Sequence, residues 1–403
     1  MKREETFETL FTNHNPTLLG FRRHAETDFG YMNSHADVPV KAARAIIEDW
    51  YKNYPSAHRE ELARRFRSKR PSQHSGAFWE LYLHELFLRM GYGIEVHAAL
   101  SGTDNRPDFL LLKEGRPVAV VEARLAGVET DEEASARQRK GELHDALDQV
   151  RSPNFFLQID EVRTASQRPS FRQLMKDVEA WLMTLDPDMP IEQFQLERRK
   201  SIQFEWESSG WFLRLLVIPK SVDHRGKPGR AVGTSSIEVR WLDTKGELRR
   251  AVSEKASKYG EFELPFIIAI NHVGMSCDRT DWEDALFGTY AVNVWFDGNS
   301  VHHQEPFRKD DGLWYGDGKT RRTNVSAIIG GWSINPWSMG GHRLEVYSHF
   351  APKHPFDFQG NLLSWVLSET TGLLEPRVGR TSAEILGIPV TWPLDWDRDA
   401  DLL

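Results

Sequence analysis

The chain has 403 residues, of which 40% are hydrophobic and 27% charged, a composition typical of globular proteins and not of disordered or fibrous ones. Its start, MKREETFETL, lacks the apolar run of a secretory signal, and no segment has the roughly 18 uncharged apolar residues of a membrane span. The net charge of −8 argues against a general nucleic-acid coat protein, and the single cysteine, Cys277, excludes an internal disulfide and a cysteine-built zinc site. We therefore expect a cytoplasmic protein that does not enter a membrane.

The N-terminal part, residues 1–75, is predicted to be helical. PVKAARAIIEDWYKNY (39–54) has apolar residues at helical spacing, and HREELARRF (58–66) follows after Pro55. The overlapping stretch REELARRFRSKR (59–70) is basic, as is HRGKPGR (224–230). Such a stretch either contacts phosphates or forms a solvated face. The nucleic-acid contacts predicted on the first reading are Arg64, Arg65, Arg67, Lys69 and Arg70.

A core region is predicted at 76–186. SQHSG (72–76) is expected to interrupt the helices, with Ser75 capping a new helix, AFWELYLHELFLRM, that Gly91 ends. A strand hairpin at 108–124 comes next. It is followed by a charged helix at 132–150, a strand at 154–159 and a helix at 170–185. The breaker DPDMP then places a domain boundary near 187–195.

Residues 195–403 are predicted to form a mixed α/β domain or an extension of the core sheet. SIQFEWE and WFLRLLVIP flank SSG as a β-hairpin, ELRRAVSEKASKYG (247–260) reads as a helix, and LPFIIAI (264–270) as a buried strand. The Trp- and Gly-rich stretch 311–337 has two interpretations. Its aromatic rings either stack on bases beside Arg321 and Arg322 or fill a β-rich core.

The hairpin RPDFLLLKEGRPVAVVEAR (106–124) carries two acids at opposite ends of an otherwise apolar pair of strands. If its turn is centred on Gly115, residues whose numbers sum to 230 face each other, so that Leu112 opposes Val118 and Asp108 opposes Glu122. Like charges directly opposed across two strands are destabilising, so this pair needs a proton, a basic neighbour or a metal ion. A slip of one residue in the pairing would separate the two acids.

The helix before the hairpin supplies a third acid. At roughly 100° per residue, Glu80 lies roughly 90° from the centre of the apolar stripe, where a side chain can reach around the edge of a sheet. Glu85 lies roughly 130° away on the other side and is expected to be solvated. Glu80 is therefore the predicted third carboxylate, with Glu85 as the alternative. The stripe consists of Trp79, Leu83, Leu86, Phe87 and Met90.

Three short motifs carry these acids in the order Glu, Pro-Asp and Glu-x-basic. FWEL (78–81), RPDF (106–109) and VEAR (121–124) together resemble the PD-(D/E)xK nuclease superfamily, over about residues 76–160. The resemblance implies an α/β (α+β) fold of the restriction-endonuclease-like kind, with a mixed sheet flanked by helices. It also implies that Asp108 and Glu122 bind Mg²⁺ or Mn²⁺, that the Ala123 carbonyl completes this set of ligands, and that Glu80 assists.

The sequence departs from this family at the motif lysine, whose place Arg124 takes. Alternation along a strand puts Arg124 on the same face as Glu122. An arginine stays protonated and cannot act as a base, although it can stabilise charge on a phosphate or orient water. Lys140 on the next helix is a candidate for a relocated lysine. Gln149, late on that helix, matches in kind an auxiliary glutamine of some members.

The resemblance implies metal-dependent hydrolysis of phosphodiester bonds in DNA, in restriction, repair or defence. The alternative is a catalytically inactive module of the same fold that binds nucleic acid or a protein, and a homodimer is compatible with either. His84, one turn from Glu80, either touches a catalytic water or has no role. No nucleotide-binding motif with correct glycine spacing occurs, since the upstream glycines of GDGKT (316–320) do not fit one.

Overall fold

The computed structural model describes residues 7–100, 106–189, 202–227, 229–235, 243–258, 262–274, 277–298, 300–303, 306–341, 344–368, 373–389 and 392. The chain forms two compact units. The first consists of Met1–Gly20, Asp28–Val128 and Leu242–Leu403, and the second of Phe21–Thr27 and Glu129–Trp241. Among the helices described, none combines the length and apolar character that a membrane crossing requires.

Helices and strands both contribute, so the predicted α+β class is confirmed. The described α-helices are α1 (Asp28–Ser34), α2 (Val38–Asn53), α3 (Ser56–Phe66), α4 (Pro71–Arg89), α5 (Asp131–Leu147), α6 (Phe171–Leu182), α7 (Thr244–Lys258), α8 (Arg279–Phe287) and α9 (Ser382–Leu386). The strands up to the middle of the chain are β1 (Gly93–Val96), β2 (Phe109–Lys113), β3 (Arg116–Ala126), β4 (Phe155–Arg163), β5 (Gln203–Ser208), β6 (Trp211–Pro219), β7 (Val232–Ser235) and β8 (Phe266–His272). The later strands are β9 (Tyr290–Ala291), β10 (Val294–Phe296), β11 (Val301–His303), β12 (Phe307–Arg308), β13 (Tyr315–Gly316), β14 (Lys319–Thr320), β15 (Ala327–Trp332), β16 (Glu345–Ser348), β17 (Ser364–Leu367) and β18 (Leu374–Arg377).

The first unit is built on an eight-stranded mixed sheet in the order β1-β2-β3-β8-β15-β16-β17-β18. The β1–β2–β3 meander is antiparallel, whereas β3, β8 and β15 are parallel neighbours. All seven residues of β8 are buried, as expected for a central strand covered on both faces. The strands from the C-terminal part therefore extend the sheet that the hairpin begins.

The two faces of this sheet bury separate hydrophobic clusters. Phe109, Leu111 and Val121 pack on the side of α2, α3 and α4, whereas Leu110 and Val120 pack on the side of α7 and α8. Because side chains alternate along a strand, Glu122 follows Val120 toward α7, and Ala123 follows Val121 toward α4. The end of β3 thus lies between two helices that can both supply side chains to it.

The second unit contains a four-stranded sheet in the order β5-β6-β4-β7, whose cluster of buried residues includes side chains of α5 and α6. The predicted hairpin around SSG is confirmed, with Ser208 paired to Trp211. The boundary predicted near 187–195 would separate β4 from β5 and β6, although β4 pairs directly with β6. Hydrogen bonding between strands far apart in the chain therefore joins the two sides of this boundary.

Helix α4 begins earlier than predicted. It starts at Pro71, with Arg70 as the N-cap residue, and SQHSG lies inside it, so the prediction that Ser75 caps the helix is wrong. Proline is well suited to the first turn, where a backbone N–H has no intrahelical partner. Gly76 lies within this helix, and a Cβ at its position would lie 3.9 Å from Leu125, an ordinary van der Waals distance. The predicted end is confirmed, because Gly91 follows the helix with φ of +87°.

The predicted pairing of the hairpin is confirmed near its open end and wrong near its turn. Leu110 pairs with Val120, as the sum of 230 requires, but Leu112 pairs with Pro117 and not with Val118. The cause is a shift in the strand pairing between Leu111 and Leu112. It lies close to a two-residue turn at Glu114 and Gly115, both of which have positive φ. Phe109 pairs with Val121, again with a sum of 230, and this is the last pair before Asp108. That Asp108 faces Glu122 stays a prediction.

The Trp- and Gly-rich stretch 311–337 contributes to a hydrophobic core, as one of the two interpretations of its sequence predicted. Trp314 is fully buried, with its ring 4.9 Å from that of Phe287. The segment AIIGGW forms β15 inside the main sheet. Arg321 pairs with Asp317 near this region. These observations do not test base stacking by the exposed rings.

Candidate active site

Asp108 lies immediately before β2 and bonds to the neighbouring strand. Its Oδ2 accepts a hydrogen bond of 2.7 Å from the backbone N–H of Ala123. Ala123 lies beyond the last β2–β3 pair, Phe109–Val121, so the side chain continues the pairing where β2 has ended. Burial and the charge of Glu80 raise the pKa of Asp108, against the opposing effects of Lys255, the Ala123 N–H and His97. Asp108 is therefore within electrostatic reach of both Glu80 and Lys255.

Glu122, on β3, is 1% exposed and forms an ion pair with Lys255 of α7. The lysine side chain is itself only 16% exposed. A buried carboxylate requires such a partner, because an isolated ion in the interior is strongly disfavoured. The basic neighbour that the opposed acids were predicted to need is therefore Lys255, a residue that the sequence analysis did not single out.

Glu80, on α4, is buried and held by two partners. Its Oε1 accepts a hydrogen bond from the hydroxyl of Tyr54, and its Oε2 lies 2.7 Å from Nη2 of Arg65. Burial and the charge of Glu80 raise the pKa of Tyr54 far above its usual value, so this hydroxyl donates as a neutral group. The Trp79 indole donates to the Ala269 carbonyl at 3.1 Å, which fixes α4 over the sheet beside Ala123.

Arg124 takes a different partner from the one that a motif lysine would serve. It pairs with Glu254 of α7, and the two side chains are 43% and 49% exposed. The predicted alternation is confirmed, since Glu122 and Arg124 both point to α7. The cation at the buried carboxylate therefore comes from α7, and the cation of the motif lies further toward solvent.

A cavity of about 570 Å³ in the first unit is lined by Glu80, Asp108 and Lys255, whereas Glu122 is not among its lining residues. Its wall includes residues 123–128 at the end of β3 and five residues of α7. The charged lining residues on which the chemistry depends are Arg65, Glu80, Asp108, Arg124, Arg250 and Lys255. Concave sites with converging polar groups and shifted pKa values are typical of catalytic and binding centres.

The oxygen atoms near the end of β3 determine whether a divalent ion fits there. Asp108 and Glu122 provide hard carboxylate oxygens, and Mg²⁺ commonly binds through one or two carboxylates together with substrate phosphates and water. Within the described parts of the chain, however, no group of three or more His, Cys, Asp or Glu side chains is arranged to hold a metal. The two carboxylates of the hairpin thus fit such an ion in chemistry, although Glu122 is paired with Lys255, and Glu80 is held by Arg65 and Tyr54.

Two further residues considered in the sequence analysis, Glu85 and His84, are buried away from the cavity. Glu85, expected in solvent, is 1% exposed and bonds to Arg89 and Asn53, because α4 is covered on nearly all sides. That expectation is wrong. His84 is also buried, and burial lowers its pKa to about 4. Neither residue lines the cavity.

The basic stretch of α3 is largely engaged in contacts within the protein. Arg65 binds Glu80 and Glu61, Arg64 pairs with Glu60, and Arg67 donates to the Thr9 and Leu10 carbonyls. Lys69 and Arg70 are exposed. Of this set, Arg65 alone lines the cavity, and whether any of them binds nucleic acid stays a prediction.

Lys140 and Gln149 belong to the second unit, on α5 and two residues after its end. The Gln149 amide donates to the Asp145 carbonyl at 3.1 Å. Their auxiliary roles stay predictions.

Comparisons of the chain with protein-family models, curated proteins and solved structures give no match. The function must therefore be inferred from the geometry and chemistry of the cavity.

Proposed function

We propose that the protein hydrolyses phosphodiester bonds in DNA with a divalent metal ion, Mg²⁺ or Mn²⁺. The observation that carries this proposal is the meeting of Asp108 and the Glu122–Lys255 pair at the end of the β2–β3 hairpin. A carboxylate and a lysine at the cavity wall, with a second carboxylate buried against that lysine, are groups that phosphodiester hydrolysis uses. Asp108 and Glu122 are also the two hairpin acids on which the resemblance to PD-(D/E)xK nucleases rests.

In this proposal Asp108 and Glu122 hold the metal, and the Ala123 carbonyl and Glu80 assist. The ion would neutralise phosphate charge and activate water. The Ala123 N–H orients Asp108, since it donates to Oδ2 and leaves Oδ1 for other partners. Arg65 holds Glu80 at the cavity wall.

Lys255 is the proposed catalytic cation, in place of the motif lysine. Its ammonium contacts Glu122, and its charge opposes the rise in the pKa of Asp108. It can therefore stabilise negative charge on a phosphate placed there. Arg124, paired with Glu254 near solvent, assists by charge and not by proton transfer.

The test is nicking of supercoiled plasmid DNA with Mg²⁺ or Mn²⁺. Wild-type protein is compared with Asp108→Ala and Glu122→Ala, and with Glu95→Ala, a matched change at an exposed acid of β1 in the same sheet. We expect activity in the wild type and the Glu95 variant alone. Equal nicking by all four proteins would indicate a contaminant or another site.

A second candidate function is binding of nucleic acid or a protein without cleavage. It is favoured by one observation, that Arg65 and Lys255 already neutralise Glu80 and Glu122. This alternative predicts DNA binding that depends on salt, survives Asp108→Ala, and is accompanied by no cleavage with any divalent ion. A thermal-shift titration with Mg²⁺ and Mn²⁺ separates the two, because only the hydrolytic site requires a metal.

A further inference from the structure

One face of α7 forms a wall of the cavity. The residues of α7 that line it are Glu247, Arg250, Ala251, Glu254 and Lys255, at the three- and four-residue spacing of a single helical face. This face therefore runs from the Glu122–Lys255 pair toward the N-terminal end of the helix. Charged side chains are presented along it at every turn.

Nearly all of these charges have partners. Lys255 pairs with Glu122, Glu254 pairs with Arg124, and Glu247 lies 2.9 Å from Nε2 of the buried His272. Arg250 is exposed and has no hydrogen bond or ion pair within the described parts of the chain. An unpaired guanidinium on a wall of otherwise paired charges is available to an anion from outside. Arginine is well suited to phosphate, which it can bind through two parallel N–H bonds.

The spacing along α7 indicates which phosphate. Arg250 and Lys255 are five residues apart, which corresponds to roughly 7.5 Å along the helix axis. Phosphates on one strand of a duplex rise by roughly 3.4 Å per nucleotide, so Arg250 lies about two nucleotides from a phosphate at Lys255. Glu247, one turn further on, would repel another phosphate, so α7 offers one additional phosphate contact.

We propose that Arg250 binds a phosphate about two nucleotides from the scissile one, so that the substrate is a polynucleotide strand lying along α7. This inference rests on the proposed nuclease function and adds to it a required length of substrate. Gly127, in the wall at the end of β3, has φ of +66°, and a Cβ there would lie 2.7 Å from the His272 ring, so glycine allows this part of the wall to pack closely on His272.

The experiment compares two substrates with Mn²⁺ and the full-length protein. One is a labelled oligodeoxynucleotide, and the other is bis(p-nitrophenyl) phosphate, a single phosphodiester without a neighbouring phosphate. For Arg250→Gln we expect kcat/KM on the oligonucleotide to fall roughly tenfold further than on the single diester, mainly through KM. Arg116→Gln, at an exposed arginine of the hairpin turn, is the matched control and should change neither.

A binding measurement accompanies the kinetics. With Ca²⁺ in place of Mn²⁺, the slope of log affinity of the oligonucleotide against log salt should fall by about one unit for Arg250→Gln. Equal losses on both substrates, or an unchanged slope, would overturn the role of Arg250 while leaving hydrolysis itself established. If wild type and Asp108→Ala hydrolyse neither substrate, the proposed function fails, and the role of Arg250 at a scissile phosphate fails with it.

Discussion

Lys255 and Glu122 form a buried ion pair although 133 residues separate them in the chain. Their meeting follows from the parallel pairing of β3 with β8, which places α7, the helix before β8, over the end of β3. Lys255 therefore has two roles. It compensates the buried charge of Glu122, and in the proposed function it supplies a cation at the cavity.

Lys255→Met is expected to destabilise the protein by about 3 kcal/mol, because Glu122 would remain buried without a compensating charge. Hydrolysis should fall at least roughly 100-fold. Chemical denaturation and plasmid nicking measure the two effects. Adding Glu122→Gln to Lys255→Met should recover most of the lost stability and none of the activity. A single variant as stable as the wild type would contradict the buried pair.

Arg124→Gln should change the free energy of unfolding by less than about 1 kcal/mol, since its pair with Glu254 is exposed. Arg124→Lys should leave nicking within about threefold of wild type, because Lys255 already provides the cation at Glu122, and one exposed pair alters the barrier little. A large gain in cutting by Arg124→Lys would mean that catalysis depends on the motif position and not on α7. Both variants are compared at one salt concentration.

The hairpin was predictable because its information is local. Alternating apolar residues and one turn gave the pairing of Leu110 with Val120, which brings Asp108 to the end of β3, where it bonds to the Ala123 N–H. The exception at Leu112 came from an irregularity beside the turn, which apolar alternation does not encode. The helix carrying Lys255 was also predicted, but its place over β3 was not. That place depends on a parallel strand pair between distant segments, which periodicity does not reveal.

Burial of polar residues was the least predictable feature. The stripe on α4 predicted one buried face, yet the helix is covered on nearly all sides, so Glu85 and His84 lie inside as well. A single apolar stripe describes a helix at a surface. Strands added from the C-terminal part of the chain and helix α9 create the further cover, for example through the bond from Arg89 to the Leu386 carbonyl.

His84 should make stability depend on pH. Burial lowers its pKa in the folded state to about 4 from 6.5. The unfolded chain therefore binds a proton first, and this contribution to stability is lost as pH falls from 6.5 toward 4. His84→Phe removes it, so the variant should gain up to about 3 kcal/mol relative to wild type between pH 7 and pH 4. Denaturation curves at both pH values measure this difference.

The control for His84 is Phe87→Leu, a change at a buried neighbour on α4 that does not titrate. It should destabilise by an amount that does not vary with pH. The His84 ring lies 4.8 Å from the Tyr54 ring, and its Nδ1 has no hydrogen-bond partner among the described residues, so replacement by phenylalanine removes no such bond at that atom. A constant difference between wild type and His84→Phe across this range would contradict a neutral, buried imidazole.

The ionised carboxylate of Asp108 should lower the stability of the folded protein, although the proposed function requires it. Burial and Glu80 raise its pKa, so the ionised carboxylate is disfavoured in the folded state, and stability from this group is present at low pH and lost as pH rises through the folded pKa. Asp108→Asn keeps an acceptor for the Ala123 N–H but removes the charge. At pH 7 it should stabilise by on the order of 1 kcal/mol, and it should abolish hydrolysis.

The gain from Asp108→Asn should shrink as pH falls, because the wild-type carboxyl takes up a proton and becomes equally neutral. Asp108→Ala is the matched control. It also removes the charge, but it leaves the Ala123 N–H without its 2.7 Å partner, so it should be less stable than the asparagine variant at every pH. Thermal denaturation from pH 4 to pH 8 compares the three proteins. If the asparagine variant is the less stable protein at pH 7, the carboxylate is stabilised by its surroundings, and the electrostatic basis for placing a divalent cation beside it is removed.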